Sequence, residues 1–201
     1  LVIVLGGGFQ PAVEKLAERR RGTTITVLTG RVADPHIWLD PRAMAALALR
    51  VQEGLARLDP DGRREFAANA TAYRDRLLAL DREFAAGLAN CERRVIVTSH
   101  AAFGVLARRY GLRQEALAGI QPEAEPDPAR LDALVQLVRR EKVTTVFTEP
   151  LVSKRLVATL AREAGVRIAV LDPIESLPAG ADYVSVMRKN LATLRAALGC
   201  R

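Results

Sequence analysis

Residues 144–173 read TTVFTEPLVSKRLVATLAREAGVRIAVLDP. A β-branched run, an amphipathic stretch over SKRLVATLAREAG and a second apolar run follow one another. That order predicts a strand, a crossover helix and a second strand, hence parallel pairing. The alternation extends both ways. Upstream, RVIVTSH (94–100) precedes a helical pattern in AAFGVLARRYGL, and downstream YVSVMRKNLATLRAAL (183–198) reads as a last helix. Between them IQPEAEPDPAR reads as a loop, with Asp127 and Pro128 placed to start the helix DPARLDALVQLVRREK.

The first part of the chain repeats the logic. LVIVL at residues 1–5 is a continuous apolar run of the kind a buried parallel strand shows. GGG ends it, QPAVEKLAERR has helical spacing with Pro11 near its first turn, and TTITVLTG (23–30) supplies a second strand. GGGFQP matches neither GxGxxG nor GxxxxGK[ST], so it reads as a tight strand-to-helix turn rather than a phosphate site. RAMAALALRVQEGLARLDP forms a long helical pattern stopped by Pro60. A further one, Arg63 to Leu88, is long enough for about seven turns. The expected organisation is an N-terminal α/β lobe over 1–62, a connecting helix over 63–90 and a C-terminal α/β lobe over 91–201. Because the chain opens inside a strand pattern, native residues are expected before Leu1.

The chain has 201 residues, 49% of them hydrophobic and 4% aromatic, which suits a globular protein with one or two cores. A formal charge of +7 raises the question of nucleic acid, but the arginines are dispersed and not interleaved with aromatics. A solvated basic surface is the reading. Arg19–Arg21 sits where a helix should end, where cations suit the helix dipole. No apolar run approaches the roughly 20 residues that span a bilayer.

In open α/β sheets ligands bind beyond the carboxyl ends of the strands. His100 ends RVIVTSH, Glu149 ends TTVFTEP and Asp172 ends VRIAVLD, so three metal-ligating side chains share one rim. The other histidine, His36, stands in DPHIWLDP (34–41), a short loop after TTITVLTG. Two imidazoles and one or two carboxylates suit zinc. Each histidine taken alone reads first as an ordinary surface or hydrogen-bonded residue, and on spacing alone a zinc-dependent hydrolase is a serious alternative. It would have an open three-ligand site at His36, His100 and Asp172, with Glu149 as general base.

DPHIWLDP resembles the DPHxWLDP signature of the substrate-binding proteins of zinc and manganese ABC importers, the ZnuA/TroA-like family. The resemblance continues through VTSHAAFGVLARRYGL, VTTVFTEPLVSKRLVATLAREAGV, VLDPIESL and YVSVMRKNLATLRAAL, in order and over nearly the whole chain. It implies an α/β fold of two β/α lobes, parallel sheets flanked by helices, joined by a long rigid helix with the metal in the interlobe cleft. It also implies His36, His100 and Asp172 as three of four ligands. The fourth, a histidine, would lie upstream of Leu1. Histidine rather than carboxylate at position 100 favours Zn²⁺ over Mn²⁺.

Asp34 and Asp40 are expected to accept hydrogen bonds from loop backbone or a histidine ring, and Glu149 to support the ligands or join them. Trp38 and Leu39 should pack, and Pro35, Pro41, Pro150 and Pro173 should fix turns. Only RVA separates Gly30 from Asp34, so the histidine- and acid-rich loop that many zinc members carry there is lacking or left out. The implied protein is not an enzyme. It would be an exported carrier, periplasmic or extracellular, free or lipid-anchored, monomeric, handing Zn²⁺ to a membrane permease, with a metallochaperone as an optional loader and no nucleic-acid partner. Cys91 and Cys200 are the only cysteines. A disulfide between them is feasible in an exported protein, with two free thiols as the alternative.

Overall fold

The structure, a computed structural model, describes residues 1–30, 32–120, 128–150 and 154–201. Most of the IQPEAEPDPAR loop, including Asp127 as a helix start, lies outside them.

Two compact units result, Leu1–Asp81 and Arg82–Arg201. In the first, β1 (Val2–Gly6), α1 (Pro11–Arg19) and β2 (Thr24–Leu28) form a strand–helix–strand unit. The strands pair in parallel from Val2 opposite Thr24 to Gly6 opposite Leu28. Gly6 has φ +75°, and a Cβ there would stand 2.4 Å from the Leu28 carbonyl oxygen. Gly6 is thus required by packing where the chain leaves β1. The Glu14 carboxylate accepts the N–H groups of Gly8 and Gln10, closing the turn onto α1.

DPHIWLDP follows β2 and contains a 3₁₀ turn over Ile37–Leu39, with the Leu39 side chain fully buried. Asp40 then caps α2 (Pro41–Leu58): its Oδ1 accepts the Arg42 N–H at 2.8 Å, and Pro41 occupies the first turn. Arg50 of α2 donates to the Thr26 carbonyl at 2.6 Å, tying the helix to β2. Next comes α3 (Arg63–Gly87), inside which the division between the units falls. The Arg42 Nε donates to the Asp81 carboxylate at 2.9 Å, which gives that buried acid its charged partner.

In the second unit, β3 (Val95–Thr98), β4 (Arg113–Ala116), β5 (Thr145–Thr148) and β6 (Arg167–Val170) form one parallel sheet in the order β4-β3-β5-β6. The central strands β3 and β5 are buried at every residue, which is why they read as unbroken apolar or β-branched runs. Val95, Val97 and Val146 pack against Leu134 and Val138 of α5 (Pro128–Arg140) and Val157 and Leu160 of α6 (Lys154–Ala164). By strand alternation Ile96 and Phe147 turn to the opposite face. The last helix, α7 (Tyr183–Leu198), buries Met187, Leu191 and Leu194.

One difference from the sequence reading concerns AAFGVLARRYGL. Its helix, α4, spans only Gly104–Arg109, and the polar residues RQEA after it form the edge strand β4. An edge strand with Arg113 in solvent carries no apolar run to mark it.

Cys91, just after α3, and Cys200, just after α7, form a disulfide with Cα atoms 3.9 Å apart. Among the described residues no helix is long and apolar enough to cross a membrane.

Candidate metal centre

Because the second sheet is wholly parallel, the carboxyl ends of β3, β5 and β6 lie along one edge, and that edge carries His100, Glu149 and Asp172 in turn. His100 is completely buried and held at several points. Its backbone N–H donates to Glu149 Oε1 at 3.2 Å, and its Nδ1 lies 2.5 Å from Glu149 Oε2. Its carbonyl oxygen accepts from Thr98 Oγ1 at 2.7 Å and from Gln114 Nε2 at 2.9 Å. Ser99 Oγ also donates to Glu149 Oε1. The Glu149 carboxylate, itself 1% exposed, thereby takes two donors at Oε1 and sets Oε2 against the imidazole Nδ1.

An acceptor facing Nδ1 sets the tautomer of the neutral ring: the proton sits on Nδ1 and the lone pair on Nε2. Across from Nε2, at 3.4 Å, is Oε1 of Glu175. Glu175 belongs to VLDPIESL but was not among the residues the sequence singled out, because it lies in the loop beyond β6 with no periodicity to mark it. Two electron-rich atoms face each other there and call for a shared cation, a proton or a metal ion. Two ligands about 2.0–2.1 Å from a tetrahedral zinc lie about 3.4 Å apart.

The proton alternative is visible in the acid–base balance of His100. Burial is the largest influence and disfavours its charged form, but the hydrogen bond and charge of Glu149, with Glu175 behind them, outweigh it and hold the pKa above the ordinary 6.5.

Asp172 sits differently. Its Oδ1 accepts the Ile174 N–H at 2.8 Å, closing a turn in which Ile174 takes φ +58°. Its backbone is held from α7 on both sides: the Asp172 N–H donates to Asn190 Oδ1 at 2.9 Å, and Asn190 Nδ2 donates to the Asp172 carbonyl at 2.7 Å. Glu149, Asp172 and Glu175 line one narrow cavity of about 10 Å³, room for a single small species.

In the first unit, His36 is also buried, and Asp34 treats it as Glu149 treats His100. Asp34 Oδ1 accepts the His36 backbone N–H at 3.1 Å and lies 2.9 Å from Nδ1. The Trp38 ring stands 5.1 Å from the imidazole, tilted by 59°. Asp40, the remaining acid of the motif, is the cap of α2.

Comparison with known proteins places these features in a family. The family model described as zinc-uptake complex component A, periplasmic (ZnuA), matches residues 1–197. The zinc-binding lipoprotein AdcA of Streptococcus pneumoniae is 42% identical over 167 residues, 81% of this chain. This chain spans about a third of that relative's length, at 33%. The crystal structure of the Zn(II)-bound ZnuA-like domain of the pneumococcal AdcA is similar at TM-score 0.81 and 36% identity, over 98% of this chain and 79% of that one. The laminin-binding protein Lmb of Streptococcus agalactiae, described as an adhesin with metal-transporting activity, has TM-score 0.89 and 27% identity, again over 98% and 79%.

Proposed function

The chain belongs to the zinc-uptake complex component A family, and from that premise we propose that it is the metal-capturing part of an ABC importer, binding Zn²⁺ as cargo outside the cytoplasmic membrane and delivering it to a permease. The observation that carries the reading is the 3.4 Å separation of His100 Nε2 from Glu175 Oε1, with Nδ1 already committed to Glu149. A tetrahedral zinc fits that separation. The third ligand we assign to that ion, from the resemblance of DPHIWLDP to the family's signature, is His36, whose Nδ1 stands 2.9 Å from Asp34 Oδ1.

Glu175 is favoured over Asp172 as the carboxylate ligand. The Asp172 Oδ1 is spent on the turn that precedes Glu175, whereas the Glu175 oxygen faces an imidazole lone pair. Two neutral imidazoles and one carboxylate favour zinc over manganese. Glu149 would be the general base of a hydrolase, but Ser99 and His100 occupy its oxygens, so the non-enzymatic carrier is the better reading. The relatives' names support an exported protein, lipid-anchored or periplasmic. The carrier acts as a monomer, and loading by a metallochaperone is not required by this chemistry.

The test is a zinc titration against a chromophoric chelator on the chain and its His36→Ala, His100→Ala and Glu175→Ala variants. One site weakened by all three substitutions is expected. Tight binding indifferent to His100→Ala would remove the site from this edge of the sheet.

A further inference from the structure

Asn190 is a polar side chain in the middle of α7 with 2% of its surface exposed. Its burial is balanced in an unusual way. Both ends of its amide are used on the backbone of one residue: Oδ1 takes the Asp172 N–H and Nδ2 gives to the Asp172 carbonyl, at 2.9 and 2.7 Å, so the peptide units on either side of Asp172 are held together. This pairing also fixes the orientation of the amide, because the reverse assignment would set donor against donor and acceptor against acceptor.

Asp172 is the point at which the chain leaves the sheet edge. Leu171 still makes a sheet-like bond, donating its N–H to the Thr148 carbonyl. Beyond Asp172 the backbone turns, through the Asp172 Oδ1 bond to Ile174 N–H and the positive φ of Ile174, and delivers Glu175 to Nε2 of His100. Glu175 itself is about one third exposed, at 32%, and stands in a loop whose residues 175–180 are all exposed. On the sheet side of this turn the backbone is tied down by the Asn190 clamp.

We propose that Asn190 is a positioning residue for the metal site: it holds the Asp172 peptide so that the following turn keeps the Glu175 carboxylate at ligand distance from His100. The inference rests on the zinc-carrier reading and on Glu175 as a ligand. It gives α7, an element that supplies no ligand of its own, a share in zinc affinity.

The experiment is a double-mutant cycle on the 201-residue chain, reading zinc affinity by chelator competition and fold stability by thermal melting. The variants are Asn190→Leu, which keeps the branching and the number of side-chain heavy atoms and removes both hydrogen bonds, Glu175→Ala, and the two together. Replacing groups hydrogen-bonded directly to metal ligands weakens binding by about 10–100-fold, and Asn190 acts on Glu175 through the intervening turn, which sets the lower end of that range as the expectation. Asn190→Leu alone should therefore weaken zinc by about tenfold, yet change it by less than about twofold when Glu175 is already alanine. A purely structural role would lower the melting temperature in both backgrounds and leave affinity unmoved, and that result overturns the proposal. So does an equal loss of affinity in both backgrounds. If Asn190→Leu does not fold, Asn190→Asp, which keeps the bond from the Asp172 N–H, enters the same cycle under the same criterion. Failure of both to fold assigns Asn190 to stability alone and also overturns it. If Glu175→Ala by itself leaves zinc affinity intact, the ligand assignment falls instead, an outcome the cycle separates from the others.

Discussion

Glu149 holds His100 at two points: one carboxylate oxygen receives the backbone N–H at 3.2 Å and the other stands 2.5 Å from Nδ1. Ring orientation, tautomer and backbone are set by one side chain from the neighbouring strand. Glu149→Gln keeps the shape but weakens the acceptor at Nδ1. It should lower zinc affinity by about 10–100-fold, the range for partners of ligating histidines. Chelator competition measures it, and an unchanged constant would show that Nδ1 does not need the charge.

Zinc and a proton compete for Nε2 of His100, and the raised pKa fixes the window of competition. The metal-free chain keeps this proton at pH values above the ordinary 6.5, so zinc affinity should begin to fall above that pH as the solution is acidified. The sign for stability is opposite. A folded-state pKa above the unfolded one stabilises the metal-free fold below the unfolded pKa, and the gain is lost as pH rises through the folded value. Zinc titrations from about pH 8 down to about pH 6 would read the first effect. A flat profile over that interval contradicts the assignment of Nε2.

The Cys91–Cys200 bond closes a loop with a sequence separation of 109. In the chain-entropy treatment a closure of that length stabilises by about 4–5 kcal/mol, and measured removals cost about 2–5 kcal/mol. A Cys91→Ser, Cys200→Ser double variant should lose stability in that range by denaturant unfolding. A midpoint unchanged from the oxidised chain would mean that the unfolded state does not feel the link.

Leu160 is fully buried on α6, in the cluster with Val146 of β5 and Val138 of α5. Leu160→Ala should cost about 2–5 kcal/mol through lost transfer and cavity terms. The zinc affinity of the folded fraction should stay as it was, since no site residue belongs to that cluster. A loss of affinity without a loss of stability would reverse that separation.

Much of this arrangement is legible in the sequence, for reasons that differ by element. The central strands announce themselves because burial on both faces demands apolar or β-branched residues throughout, and parallel pairing follows from the helices between them. The strand ends then point to His100 and Glu149 without help. Glu175 escapes because a loop residue has no periodicity and its partner, His100, is 75 positions away along the chain. The edge strand β4 escapes because three of its four residues, Arg113, Gln114 and Glu115, are polar and give no apolar run, and only Ala116 is buried. Asn190 is hidden for another reason: one polar residue in an amphipathic helix looks like any other until the peptide it grips is known.

The disulfide makes the segment from Cys91 to Cys200 a covalent ring, and the four-stranded sheet lies inside it. A protease that cuts once within that ring opens it without releasing a fragment, and the two pieces would migrate as one chain until reductant is added. By the same topology, new termini could be introduced in a loop of the ring while every strand stays tethered.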